Sequence, residues 1–149
     1  ASPLAETPQS AAAREMLIVK VKSGRLADAM REELNPVWLA PGPDRAAILE
    51  IALDMADTLG PEVYVRQARA LQRARDQQAV LRKCKVPTLV MCGEVGRLNP
   101  VKRHSFMAEL LPYAILRVIE GAGHLPTLEQ PEATTAAIKE WLKMPLTPA

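Results

Sequence analysis

His124 closes the run Gly121-Ala122-Gly123-His124, which follows the apolar segment Ala114 to Ile119. A second apolar segment, Thr88 to Cys92, runs into Gly93-Glu94-Val95-Gly96, with Pro100 four residues on. Imidazole is the side chain whose ordinary titration range lies nearest neutral pH. At the end of a buried strand it suits a general base, provided a carboxylate fixes its tautomer and a hydroxyl stands within reach. On residue type alone, a histidine in a glycine turn reads more readily as a solvent-exposed or backbone-bonded ring. The nearest carboxylate in the first turn is Glu94, and Glu129 follows His124 in Leu128-Glu129-Gln130-Pro131. His104 lies beside Lys102 and Arg103 in a predicted surface helix, with no comparable context.

The elements that must position these residues divide in character at Val86. Before it the chain reads as helices only. Thr7-Pro8 offers an N-cap and a first-turn proline for a helix ending at Ser23-Gly24. Leu26 to Leu34 is a second short helix, and Val37 to Pro43 is a turn or loop. Ala46 to Leu59 carries a broad apolar face and stops at Gly60. Pro61 opens a helix with arginines at positions 66, 69 and 73, and Gln77 to Lys83 is a last short one. After Val86 the pattern is strand, helix, strand, helix. Thr88 to Cys92 is β-rich and continuously apolar, as in a parallel strand buried on both faces, and Ala114 to Ile119 is a second buried strand. Val101 to Leu111 and Pro131 to Leu142 are the helices, and the proline-bearing tail Met144 to Ala149 cannot continue the second.

This order resembles the last part of the α/β-hydrolase fold. Its pattern there is an apolar strand, G-x-x-D-x-x-x-P, a helix, a strand, G-x-G-H and a terminal helix. Gly93, Pro100, Gly121, Gly123, His124, Glu129 and Pro131 match it. The resemblance implies a partial α/β-hydrolase fold: a helical cap-like region at residues 1–84, then a core segment at 85–149 with a parallel two-stranded sheet. It implies an esterase-like serine hydrolase acting on carboxylic esters or related carbonyl substrates, with His124 as the base. It also implies that glycines beside the histidine let the backbone turn tightly and approach the nucleophile. Two parts of the triad are missing from the sequence. The acid position is Gly96, with Glu94 as a substitute two residues earlier. None of Ser2, Ser10, Ser23 or Ser105 stands in G-x-S-x-G, the strained turn that exposes the nucleophile in this family. The expectation is a truncated or split piece, catalytically incomplete alone. Glu129 is expected to fix the start of the following helix.

Composition narrows the alternatives. Lys+Arg of 19 against Asp+Glu of 17 gives a net charge of +2, too balanced for nucleic acid or an anionic membrane surface. Aromatic residues are 3%, which argues against a base-stacking surface. No apolar run spans a bilayer. Two cysteines, Cys84 and Cys92, fit reduced thiols rather than a disulfide framework or a metal centre. No cofactor or metal is therefore expected. The amino terminus shows no basic region followed by an apolar core. It also lacks an initiator methionine, so a cytoplasmic protein in processed or excised form is expected. Two strands alone leave open edges, which points to a homo-oligomer or to a missing amino-terminal half as partner. A small apolar ligand among the cap-like helices, and a non-catalytic self-associating binding module derived from a hydrolase, complete the set of readings. A purely helical interaction protein using the arginines on an acidic partner is weaker, because such a charged row ordinarily faces solvent.

Overall fold

The computed structural model describes residues 2–146; Ala1 and the last three residues of the expected tail lie outside them. The helices are α1 (Pro8–Lys22), α2 (Leu26–Glu33), α3 (Arg45–Leu59), α4 (Pro61–Gln72), α5 (Gln78–Lys83), α6 (Val101–Leu110), α7 (Pro126–Glu129) and α8 (Pro131–Trp141). The strands are β1 (Thr88–Gly93) and β2 (Ala114–Ile119). The chain forms two compact units. Among the described residues, one contains residues 4–36 and 46–76, and the other residues 2–3, 37–45 and 77–146.

The helical unit is built on α1, which packs against α2 and α4. Thr7 caps α1, its side-chain oxygen accepting from the Ser10 amide at 3.2 Å, with Pro8 in the first turn. Such a cap contributes about 1 kcal/mol. Ile18 and Val21 are 0% and 1% exposed, and each contributes roughly 1.5–3 kcal/mol by leaving water. Polar contacts then fix the pairing of the helices. Arg69 of α4 forks onto Glu15 of α1, with one arm at 2.8 Å, and Gln72 donates to the Ala11 carbonyl at 2.9 Å. Arg69 is therefore occupied inside the unit rather than presented to a partner. The Glu33 carboxylate accepts from the Tyr64 hydroxyl at 2.7 Å and from Arg14 at 3.1 Å. Burial, then Glu33 beside it, pushes the Tyr64 hydroxyl well above its ordinary range. Helix α3 carries its apolar residues differently: Ile48 is buried, while Ile51, Met55 and Leu59 are exposed.

In the other unit β1 and β2 are parallel neighbours, Thr88 opposite Ala114 through Gly93 opposite Ile119. A parallel pair needs a crossover, and α6 supplies it while packing on both strands. Alternate residues face opposite sides of the pair. Met91 and Ile119 share the side that packs against Ala122 and Ala137 of α8. Trp141 of α8 donates its indole N–H to the Pro87 carbonyl at 3.1 Å, and Arg117 of β2 forks onto Glu140 with one arm at 2.9 Å. Val90 and Cys92 are buried on the other side, but Val118 is 42% exposed. Burial on both faces thus holds for the inner residues of β1 and fails for β2, whose charged Arg117 also reaches outward. His104 departs from expectation in the opposite sense: it faces inward from α6 and is 6% exposed. Helix α7 has no counterpart in the sequence pattern, being only four residues long.

The two strands end where main chain presses on main chain. A Cβ built on Gly93 falls 2.1 Å from the Gly123 carbonyl oxygen and 2.4 Å from that of Ala122. Neither neighbour is a side chain that can swing away. Gly93→Ala is expected to destabilise the fold by about 3 kcal/mol or more. Gly42→Ala, where a Cβ meets nothing within 4 Å, should stay within about 0.5 kcal/mol of the parent. Urea unfolding of the two variants checks both values.

Candidate functional site

The turn after β1 and the turn after β2 are sewn together by backbone hydrogen bonds. The Glu94 amide donates to the Ile119 carbonyl at 2.9 Å, and the Val95 amide to the Ala122 carbonyl at 3.0 Å. Gly121 takes a positive φ of 67° in the second turn. Its amide donates to the Glu94 carboxylate at 3.1 Å. Glu94 thus closes the turn and makes no hydrogen bond with His124.

His124 itself is held by a segment far away in sequence. Its amide donates to the Trp38 carbonyl at 2.8 Å, and the Trp38 ring stands edge-on to the imidazole, centroids 6.4 Å apart and planes at 77°. A Cβ on Gly123 would fall 2.5 Å from the Trp38 carbonyl oxygen and 2.7 Å from the Ala40 nitrogen. Gly123 is therefore glycine because the backbone of residues 38–40 lies directly on it. The close approach expected from the sequence is made to this strap rather than to a nucleophile. The strap is pinned from its other side by Arg45, which donates to the Leu39 and Ala40 carbonyls at 3.1 Å each. Leu39 is 3% exposed. Glu129 reaches back to the amide of Leu125 at 2.8 Å and across to that of Ala40 at 2.6 Å. It thus serves the start of α7 and the strap, not the start of α8.

His124 borders a cavity of ≈ 350 Å³ lined also by His104, Asn99, Met107, Leu111 and all six residues of β1. Side chains of both parities along one strand border it, so the cavity follows the strand's edge. Both imidazoles are held below the ordinary 6.5. Burial is the main cause for each. At His124 the Glu129 carboxylate works in the opposite sense, while His104 adds to the lowering. At His104 the Pro100 carbonyl, 3.3 Å from Nδ1, raises it and Arg103 lowers it. A neutral imidazole accepts a proton, the state a base requires. Burial also pushes the Cys92 thiol up, away from nucleophilic character.

Gly96, at the position where the pattern carries an acid, is buried among these turns. A Cβ there would stand 3.3 Å from the Gly93 oxygen and 3.4 Å from the Gly123 oxygen, next to His124. Space for a side chain exists at the cost of a shift of a few tenths of an ångström. Among the described residues no carboxylate hydrogen-bonds His124, and no group of three or more His, Cys, Asp or Glu is placed to hold a metal ion. No helix among them is long and apolar enough to cross a membrane. Sequence reasoning did not find the strap. Its signal was Trp38-Leu39, two large apolar residues inside what otherwise reads as a proline-rich loop.

Solved structures share this fold. A thermophilic esterase from Thermogutta terrifontis, determined with malate bound, superposes with a TM-score of 0.86 at 28% identity, over 94% of this chain and 52% of that one. The enol-lactonase from Burkholderia xenovorans LB400 gives 0.76 at 20% identity over 96% of this chain and 54% of its own. An α/β-hydrolase enzyme from a Medee basin deep-sea metagenome library gives 0.74 at 19% identity over 97% and 55%. The last two likenesses speak for the fold. The chain spans about half the length of the solved structures it matches. No family model matches it, and no curated protein does.

The two lowered imidazoles carry a sign for stability. The unfolded chain takes up protons first as pH falls, so the folded state keeps full stability above about 6.5 and loses it as pH drops toward the folded values. Urea midpoints should fall between about pH 7.5 and about pH 5.5. His104→Gln should make that fall shallower, and an unchanged slope would contradict the assignment.

Proposed function

From the premise that this chain carries the fold of the carboxy-terminal portion of the α/β hydrolases, we propose that it supplies the histidine of an esterase-like serine hydrolase acting on carboxylic esters or related carbonyl substrates. The observation that carries the reading is the placement of His124. It stands at the carboxyl end of two parallel strands, neutral, beside a cavity, on a turn locked to the neighbouring turn by backbone bonds. In such an enzyme the imidazole accepts the proton of a serine hydroxyl as it attacks the carbonyl, then returns it to the departing alkoxide. The likeness to an esterase at 28% identity supports the substrate class.

This chain brings neither the serine elbow nor, with glycine at 96, the acid. Its partner in the reading is the amino-terminal half of the fold, bearing G-x-S-x-G. The edge of β1 away from β2, unpaired among the described residues and bordering the cavity, suits that association, because an unpaired strand edge binds another strand. A second reading, a non-catalytic module that associates with itself, draws on the same edge and on the exposed Met16, Val19, Met55 and Leu59. In that reading the crevice of ≈ 180 Å³ lined by Met30, Met55, Leu59 and Val63 takes a small apolar ligand.

The purified chain should show no hydrolysis of a p-nitrophenyl ester above that of a His124→Ala variant. Robust His124-dependent turnover by the chain alone would overturn the incomplete-site reading. Co-expressed with an amino-terminal half that carries the serine elbow, it should gain activity that His124→Ala removes. In that assembly Gly96→Asp should raise kcat by up to roughly 10⁴-fold, the scale on which a triad acid acts. If co-expression yields no activity while sedimentation shows a stable self-dimer, the second reading takes its place.

A further inference from the structure

Among the described residues, Glu129 is the one carboxylate bonded to both sides of the contact between the His124 turn and the strap. Its two oxygens each accept a single backbone N–H: Oε1 from Ala40 at 2.6 Å, Oε2 from Leu125 at 2.8 Å. Ala40 belongs to the strap, and Leu125 directly follows His124. Between them the Trp38 carbonyl receives the His124 amide, and the missing side chain of Gly123 leaves room for the strap to lie flat. Charge-assisted bonds to a carboxylate are about twice as strong as neutral ones. Only an ionised carboxylate presents acceptors to two converging N–H donors; a carboxamide would turn its NH₂ toward one of them.

We propose that Glu129 is a positioning residue: its carboxylate clamps the His124 turn onto residues 38–40 and so fixes where the imidazole stands. Glu94 does the lesser part of the task by closing the Gly121 end of the turn. Three groups stand near the imidazole. The Trp38 ring is edge-on to it, His104 of α6 lines the same cavity, and the Glu129 carboxylate favours its protonated form. The clamp acts through the main chain, so Glu129 is spared any need to bond the ring. The functional meaning rests on His124 being the base; the clamp itself stands or falls without turnover.

The test is NMR on the whole chain. In the parent protein the amide protons of Ala40 and Leu125 should shift together as the Glu129 carboxylate is protonated; two unresponsive or independent amides would overturn the clamp. In Glu129→Gln, exchange of those two amides should speed up by roughly tenfold or more, while the Val90 amide in β1 keeps its rate. The His124 titration midpoint should move to lower pH, because the charge that favours its protonated form is gone. A merely structural residue would speed the Val90 amide as well. Unchanged exchange at both amides would refute the proposal, whatever the midpoint does. Should Glu129→Gln fail to fold, the titration of the two amides in the parent decides. In a complemented, active assembly the same variant should shift the acid limb of the kcat profile downward. Loss of all activity with the amide results intact would count against His124 as base, not against the clamp.

Discussion

Where Gly93 meets the carbonyls of Ala122 and Gly123, two stretches of main chain touch with no side chain between them. Gly123 repeats the condition one layer outward, against the backbone of Trp38, Leu39 and Ala40. Three segments, from the ends of β1 and β2 and from the strap, are stacked at backbone distance. Contact this close brings amides and carbonyls within hydrogen-bond reach without intermediaries. The bonds from Val95 to Ala122 and from His124 to Trp38 are its direct product. They fix the main chain that carries the imidazole.

The stack also explains how charged groups are used nearby. Glu94 and Glu129 have the residue type of a triad acid, yet each spends its carboxylate on backbone amides. Arg45 does the converse with two backbone carbonyls. Bonds to charged groups rigidify a turn better than neutral ones. Gly96, where the resembled pattern carries an acid, is buried and has no side chain. Both carboxylates are therefore spent on holding main chain, and neither is bonded to the imidazole.

Much of the secondary structure was legible because local signals agreed with one another. Thr7-Pro8 and Ser23-Gly24 bracket α1, Pro61 opens α4, and the apolar run Ala114 to Ile119 is β2 from end to end. The errors fall where burial is set by distant chain. His104, flanked by Lys102 and Arg103, reads as a surface residue. It is buried because its side of α6 faces the cavity wall, whereas those neighbours point outward. Val118 reads as buried from its apolar run and is exposed because cover over β2 is incomplete. No local pattern marks residues 37–45 as part of the unit that holds the sheet, since a loop's packing partner is not encoded in its own period.

The sequence by itself determined the strand–helix–strand–helix order, the two glycine turns, the histidine between them, the absence of a carboxylate at 96 and the likeness to half of a hydrolase fold. These are properties of short windows and fixed spacings, where turn geometry and hydrophobic period act on neighbouring residues. Only the tertiary structure decided why Gly123 is glycine and what Glu129 does. Each depends on Trp38 to Ala40, more than 80 residues earlier in the chain, lying against the histidine turn. Contacts across that separation arise from packing, and packing is a property of the folded surface rather than of any segment read alone.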